Sequence, residues 1–329
     1  MSTDLDRAPA DRLERAWLWF LRHAPKATVR AAASAAARTH PLALEPGWHF
    51  DFSADDPRPL VRFRRDLWTY FKRGGIEEPV TIGWYDGLKI RSYLGNDMSL
   101  CLFVGGAFEP NEFVFLDSVL AEGKTFIDGG ANDGMYSVFA ASRVGPKGAV
   151  IAVEPSSREY GRLLENIRLN ALPVTPAHVA LGREPGEAIL AIAEDGHEGL
   201  NTIGEAVSAP TVRTSAHERV RVVTIDELVE EHALDPVDVI KLDVEGSEVD
   251  ALLGARMTVA RDRPLILLEA EDERLASQGR TRNDLRTVVE EFGYRLHVFD
   301  AHTGTLRPAA VPGEPEGNAV AAPADWSPP

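Results

Sequence analysis

Cysteine is almost absent from this chain of 329 residues: Cys101 is the only one. That excludes a disulfide framework and a thiolate zinc site. Within Ser99-Leu-Cys-Leu-Phe-Val104 the thiol is expected to serve as a small buried hydrophobe. Positive charge is also short, with 35 Lys and Arg against 51 Asp and Glu, a formal net charge of −16 and a pI near 5.0. A field of that sign disfavours a phosphate backbone, so no nucleic-acid partner is expected. No apolar run reaches the roughly 18 residues that a bilayer span needs. The opening Met-Ser-Thr-Asp-Leu-Asp carries no basic segment followed by an apolar core. A cytoplasmic protein with no transmembrane segment is the expectation.

What is present centres on Thr125-Phe-Ile-Asp-Gly-Gly-Ala-Asn-Asp-Gly-Met-Tyr-Ser137. An apolar strand runs into a loop with glycines at 129, 130 and 134, then into a helical stretch from Met135 to Arg143. Strand, glycine loop and helix start are expected to set backbone N–H groups against a ligand edge. The spacing, Asp128-x-Gly130-x-Asn132-x-Gly134, differs from the dinucleotide pattern G-x-G-x-x-G, because the third small residue comes one position early. Asp128 at the strand end would repel a pyrophosphate, yet it can accept bonds from an ammonium group. Glu154 lies 154 − 134 = 20 residues past Gly134 and ends the apolar strand Ala149–Val153. An acid at that interval is placed to hold a ribose diol.

Ile127-Asp-Gly-Gly-Ala-Asn-Asp-Gly-Met-Tyr-Ser137 resembles the Asp-Val-Gly-Ala-Asn-x-Gly-x-Tyr-Ser segment of FkbM-type S-adenosylmethionine-dependent methyltransferases. Val153-Glu-Pro155, Asn170, Ala180-Leu-Gly182 and Ile240-Lys-Leu-Asp-Val-Glu-Gly-Ser-Glu248 resemble the later signatures of that family, in the same order. Gly106-Ala-Phe-Glu109 is similar to its Gly-x-Tyr-Glu segment, with Phe108 for tyrosine. The likeness runs from about Val80 to Arg307. It departs at Gly129, where the family has an apolar residue, and at Asp133, which adds a charge beside the loop. The resemblance implies a Rossmann-like α/β fold, a mostly parallel sheet with helices on both faces. It also implies S-adenosyl-L-methionine as cofactor, contacted by Asp128, Gly129, Gly130, Asn132, Gly134, Tyr136, Ser137, Glu154, Pro155, Ala180 and Asp243. The acceptor it implies is a hydroxyl oxygen of a small molecule or glycan. Two rival readings stand beside it: an NAD-dependent oxidoreductase, and a module of the same fold that only binds a partner.

Around that core the chain divides, by pattern, into a helical region over 1–78, a β-cap over 79–117, the cofactor domain over 118–308 and a tail over 309–329. A single helix is expected over 10–38, with Leu13, Trp17 and Phe20 or Leu21 on one face. It would pack on the main domain or on a second copy, giving a homo-oligomer; an interfacial membrane helix is the alternative. The basic run Pro57–Arg73 is read as a helix with a solvated face. Val80–Trp84 and Leu88–Leu94 should form a hairpin about Asp86-Gly87, with Ser99–Val104 as a third strand. Ser156–Glu159 and Thr224–Glu227 are read as capping boxes. Glu187–Ala193 should pair antiparallel with Val179–Gly182 or a neighbour. Glu194–Pro210 is read as a lid, and the Pro, Ala and Gly-rich 309–329 as disordered.

Four acids fall at strand ends, Asp128, Glu154, Asp243 and Glu269, where open α/β sheets bind ligands. Glu245 and Glu248 follow, the latter placed to complement a helix start; Glu271 and Asp272 lie nearby. Asp243 is the candidate catalytic residue, positioning or deprotonating the acceptor, with His197 a second candidate base. This many oxygen ligands could hold Mg²⁺. The site is nevertheless read as metal-free, because Gly246 ends the strand that would aim Asp243 and Glu245 together.

Overall fold

The computed structural model describes residues 12–38, 58–209, 211–310, 314 and 317–328. Residues 10, 11, 57, 210 and parts of 309–329, on which expectations fell, lie outside them. The chain forms two compact units, Met1–Pro110 and Asn111–Pro329. Among the described residues no single helix is long and apolar enough to cross a membrane.

In the first unit the expected helix is two, α1 (Arg12–His23) and α2 (Lys26–Arg38). The break falls at Pro25, which lacks an N–H and steers Ala24 from helical geometry. Leu18 and Leu21 are the buried side of α1, and Trp17 lies against Phe63, ring centres 4.2 Å apart. Phe63 belongs to α3 (Pro59–Arg73), which is not the solvated basic face expected: Arg64, Arg65 and Asp66 are buried beside Leu67, Trp68 and Phe71. β1 (Glu78–Gly83) and β2 (Lys89–Leu94) pair antiparallel. Asp86 and Gly87 both take positive φ and Leu88 N–H bonds Tyr85 O at 2.9 Å, as the mirror-image turn requires. The third strand does not form. Asn96 caps α4 (Asp97–Ser99) by accepting from Ser99 N–H, and Leu100–Gly105 continue as a wide helical turn. An N-cap ahead of a short apolar run selects helix where strand and helix are otherwise ambiguous.

The second unit, led in by α5 (Pro110–Val119), is a doubly wound sheet. From one edge run β5 (Thr175–Ala177), β4 (Ala149–Val153), β3 (Thr125–Gly129), β10 (Val239–Leu242) and β11 (Leu265–Glu269), all parallel. β14 (Asn318–Pro323) lies antiparallel between β11 and β12 (Tyr294–Phe299), and β13 (Leu306–Pro308) closes the far edge. Helices α6 (Met135–Val144) and α7 (Ser157–Asn170) connect β3, β4 and β5; residue Leu163 of α7 packs with Ala131 and Ala152 on one face. The opposite face carries α8 (Ile225–Glu231), α9 (Glu248–Leu253), α10 (Arg256–Asp262), α11 (Asp272–Ser277) and α12 (Arg282–Glu291), whose apolar residues join Ile127, Ile151, Ile240 and Leu268 in one core. The chain leaves β3 toward one edge and returns at β10 toward the other, so the topological switch point, where such sheets bind ligands, lies between them.

A smaller sheet follows the order β6 (Ala180–Leu181), β9 (Thr214–Val223), β7 (Gly186–Ala193), β8 (Thr202–Ile203). β7 pairs antiparallel with β9. The capping box at Thr224 is present; at Ser156 the hydroxyl instead bonds the Glu159 carboxylate directly.

The tail is the largest correction. Residues 318–323 form a sheet strand hydrogen-bonded on both sides, with Ala319, Val320 and Ala321 all 0% exposed. A strand covered on both faces reads as a continuous apolar run; here that run is mostly alanine, set among Pro and Gly. Val320→Asp should place an unpaired charge inside the sheet, at a cost of several kcal/mol. The melting temperature should fall by roughly 10 °C; an unchanged value by calorimetry would remove β14 from the core.

Candidate functional site

Register builds the centre of the site. Asp128 on β3 stands opposite Lys241 on β10, so both side chains leave the same face at the switch point. Asp128 is fully buried: Oδ2 accepts from Ser137 Oγ at 2.6 Å, while Oδ1 has no hydrogen bond and lies 3.4 Å from Lys241 Nζ. The Lys241 ammonium, 4% exposed, also lies 3.3 Å from Asp243 and donates to Gly130 O at 3.2 Å. It sits 4.8 Å over the ring of Tyr136, which stacks on Phe113 at 4.4 Å. Ser137 and Tyr136, expected at the cofactor, thus support the Asp128–Lys241 pair from α6.

The glycine loop spends its donors inside the protein, against the expectation of N–H groups turned to a ligand. Gly130 N–H and Ala131 N–H both bond Val153 O, and Gly134 N–H bonds Ala131 O. Asn132 N–H bonds Glu154 Oε2 at 2.8 Å, and Met135 N–H bonds the Asp133 carboxylate. Gly130 has φ +74°, and a Cβ there would stand 1.8 Å from the Asp243 carbonyl oxygen. Its glycine therefore answers to the close approach of the β10 backbone. At Gly129, the end of β3, a Cβ would instead meet the tip of the Leu181 side chain at 2.7 Å.

Glu154 follows β4 and is buried, its two oxygens accepting from Asn132 N–H and Ser156 N–H at 2.8 Å each. Burial, then the charge of Glu159, pushes its carboxyl up to about 8 against those two N–H bonds. Each oxygen keeps a second lone pair for a ligand hydroxyl. Pro155 is half-buried beside it, and Ala180 packs its methyl with Leu190, Ile192 and Val220 in the small sheet.

Beyond β10, Glu248 folds back to accept from Val244 and Gly246 N–H, holding the turn that Glu245 and Gly246 make at positive φ. Carboxylate oxygens of Asp243, Glu245 and Glu269 come within 4.8 Å of one another. Arg274, from α11, stands among them, paired with Glu245, with Glu269 at 3.1 Å and with Glu271 at 2.8 Å. One guanidinium cannot hold them all ionised, and burial followed by the charges of Asp243 and Glu245 pushes Glu269 up to about 10. Hard oxygen donors at that spacing suit a divalent cation, but the position between Glu245 and Glu269 belongs here to a side chain of the protein.

The expected lid is tied to the start of α7: Arg158 to Asp195 at 3.0 Å, Arg162 to Glu198 at 3.3 Å, Asn201 Nδ2 to Glu159 at 2.9 Å. His197 is half-buried in that loop, ahead of the turn Glu198–Leu200. Two residues of the site had no assigned role in the sequence reading. Lys241 stood inside the Ile-Lys-Leu-Asp-Val motif, where a charged residue in a buried strand was itself the signal. Arg274 carries no comparable mark, since only the fold brings it to the acids.

Carboxylates at the switch point, a loop with its donors spent and an antiparallel strand before the last parallel one define a Rossmann-like methyltransferase architecture. The chain belongs to the family described as the methyltransferase FkbM domain, whose model matches residues 128–296. It is 26% identical over 212 residues to the AMB antimetabolite synthetase AmbE of Pseudomonas aeruginosa, covering 55% of this chain and 10% of that protein. It is 29% identical over 143 residues to Methyltransferase 1 of Beauveria bassiana, covering 39% of this chain and 57% of that one. The chain thus spans a tenth and just over half of these relatives' lengths. Among solved structures, the FkbM methyltransferase of Methylobacillus flagellatus superposes with a TM-score of 0.39 at 16% identity, over 61% of this chain and 44% of that one.

Burial raises Glu154 to about 8 and Asp133 and Glu248 each to about 7, and it raises Glu245 and Glu269 as well. Unfolded carboxyls titrate near 4, so between about pH 4 and 8 the folded chain binds more protons than the unfolded one. Stability should then be full at the acid end of that window and fall as pH rises. The melting temperature without ligand should drop by at least ~3 °C from pH 5.5 to 8.5, about 1 kcal/mol at this size. Glu154→Gln should flatten part of that slope; a wild-type profile flat across the window would show that these acids ionise freely.

Proposed function

We propose that the chain is an S-adenosyl-L-methionine-dependent methyltransferase acting on a hydroxyl oxygen of a small molecule or glycan. The observation that carries this reading is the loop. With N–H groups at 130, 131, 132, 134 and 135 committed internally, a pyrophosphate would find few backbone donors, and the Asp128 carboxylate would repel it. A cofactor with a diol, an ammonium group and no phosphate matches Glu154 and Asp128, whose Oδ1 lies 3.4 Å from Lys241 yet accepts no hydrogen bond. That argues against the NAD-dependent rival. The acids also give the site more than a passive binding module needs.

In this reading Glu154 accepts from the ribose hydroxyls and Asp128 faces the amino group. When bound, the cofactor supplies a methyl group on a sulfonium centre, ready for in-line displacement. The chain's own task is to hold an acceptor oxygen in line at near-contact distance. Asp243, half-exposed where β10 ends, is the group to orient that hydroxyl and take its proton. The Lys241 ammonium fixes the Asp243 carboxylate from below and keeps it oriented.

Titration calorimetry should show S-adenosylmethionine and its demethylated product binding and NAD not binding; NAD alone binding would reverse the assignment. Replacing the product by its 2′-deoxy form should cost about 1.5–3 kcal/mol in the wild type, the range for a hydrogen bond to a charged group. It should cost nothing further in Glu154→Ala; this cycle is needed because Glu154→Ala also strands two loop N–H groups.

With a competent acceptor, Asp243→Asn should lower turnover by about 10²–10⁴, the range for losing a general base. Turnover should survive EDTA. Loss on chelation with recovery on adding Mg²⁺ would make Asp243, Glu245 and Glu269 metal ligands instead.

A further inference from the structure

The methyltransferase reading leaves one surface of the first unit unused. On α1, Arg12, Arg15, Trp19 and His23 recur at intervals of three and four and are all exposed, making one stripe along the helix. Lys26, exposed at the start of α2, continues it. The centre of the stripe is the Trp19 indole, 62% exposed, with the His23 ring stacked on it at 4.8 Å and His23 Nδ1 2.7 Å from Trp19 O. Leu13, 82% exposed, lies at the flank. The one acid of α1, Glu14, is turned away and lies 3.8 Å from Arg62. Among the described residues no ion pair engages Arg12 or Arg15. Positive charge gathered around an open tryptophan is the opposite of a chain whose net charge is −16.

We propose that this stripe docks the protein on an anionic lipid surface, with Trp19 at the headgroup boundary and Arg12, Arg15 and Lys26 on the lipid phosphates. An indole has a large apolar body and a single N–H donor, which suits the interface between headgroups and acyl chains. Basic side chains within a Debye length of an anionic leaflet are drawn to it, while the acidic remainder of the molecule is screened. The helix lies on such a surface and does not span it: its 12 residues are about 18 Å long, against a hydrocarbon core of about 30 Å. A second copy is a poorer occupant, because a two-fold contact sets the same patch on both partners and would bring the cationic stripes together. Nucleic acid is also poorer, since an extended polyanion would meet the acidic field beyond the stripe.

Co-sedimentation of the full chain with vesicles tests this. Vesicles of equal phosphatidylcholine and phosphatidylglycerol should carry the protein down, pure phosphatidylcholine should not, and binding should weaken as salt rises. Trp19→Ala, and separately the pair Arg12→Glu and Arg15→Glu, should each reduce the bound fraction by about tenfold or more. Their melting temperatures should match the wild type, because the side chains removed are exposed. No binding of the wild type to anionic vesicles overturns the proposal, as does equal binding by the variants. Tighter binding to single-stranded poly(U) than to vesicles would assign the stripe to RNA, and a concentration-dependent dimer abolished by Trp19→Ala would assign it to a second copy; either result overturns the lipid assignment. None of these readouts uses methyl transfer, so the proposal stands or falls apart from the assigned activity.

Discussion

The Lys241 ammonium stands 3.4 Å from Asp128 and 3.3 Å from Asp243, closed off from solvent by the ring of Tyr136 and the carbonyl of Gly130. Much of the site hangs from that contact. A buried carboxylate with no cation nearby would take up a proton or open the structure. With the ammonium fixed by sheet register, Asp128 can present one oxygen while Ser137 holds the other. Helix α6 is thereby tied to β3, and Phe113 to α6 through Tyr136. Losing Lys241 would leave Asp128 uncompensated and Asp243 without its nearest cation.

The parts of this arrangement visible in the sequence were those with a period or a spacing. β3, β4, β10 and β11 announced themselves as apolar runs because a parallel strand is buried on both faces. Asp128, Glu154, Asp243 and Glu269 followed as the acids at their ends. The Asp86-Gly87 turn was legible because two adjacent residues at positive φ have a strong residue preference. β9 was not: its outer half is exposed, and Glu218, Arg219 and Arg221 mask the alternation. β14 was hidden by composition, since small residues pack well between β11 and β12 yet also characterise loose tails. Ser99–Val104 was lost to a cap, because the Asn96 side chain decides between strand and helix and a hydrophobic pattern does not register it.

The glycines teach a narrower lesson. The spacing at 129, 130 and 134 located the loop, but the pattern says only that a Cβ is unwelcome, not what would meet it. At Gly130 the obstacle is the Asp243 carbonyl. The loop and the end of β10 are therefore pressed together before any ligand arrives. This coupling also brings Asp243 to the same corner as Asp128, so the two acids that flank Lys241 are set by one backbone contact.

Charge at the strand ends then has a consequence for stability. Glu154, Glu248 and Glu269 are held partly or wholly protonated by burial, and Arg274 serves Glu245, Glu269 and Glu271 at once. The strand ends thus carry more acid than their fixed cations can neutralise. A ligand bearing positive charge against Asp128, or hydroxyl donors against Glu154, favours the ionised form of these groups and lowers the cost of burying them. Because such a ligand binds only the folded chain, every increment of its affinity becomes an increment of stability. The same acids whose burial is costly at neutral pH are thus the groups that a cationic ligand would relieve. Arg274 and Lys241 keep the remaining repulsion small enough for the sheet to close beneath them.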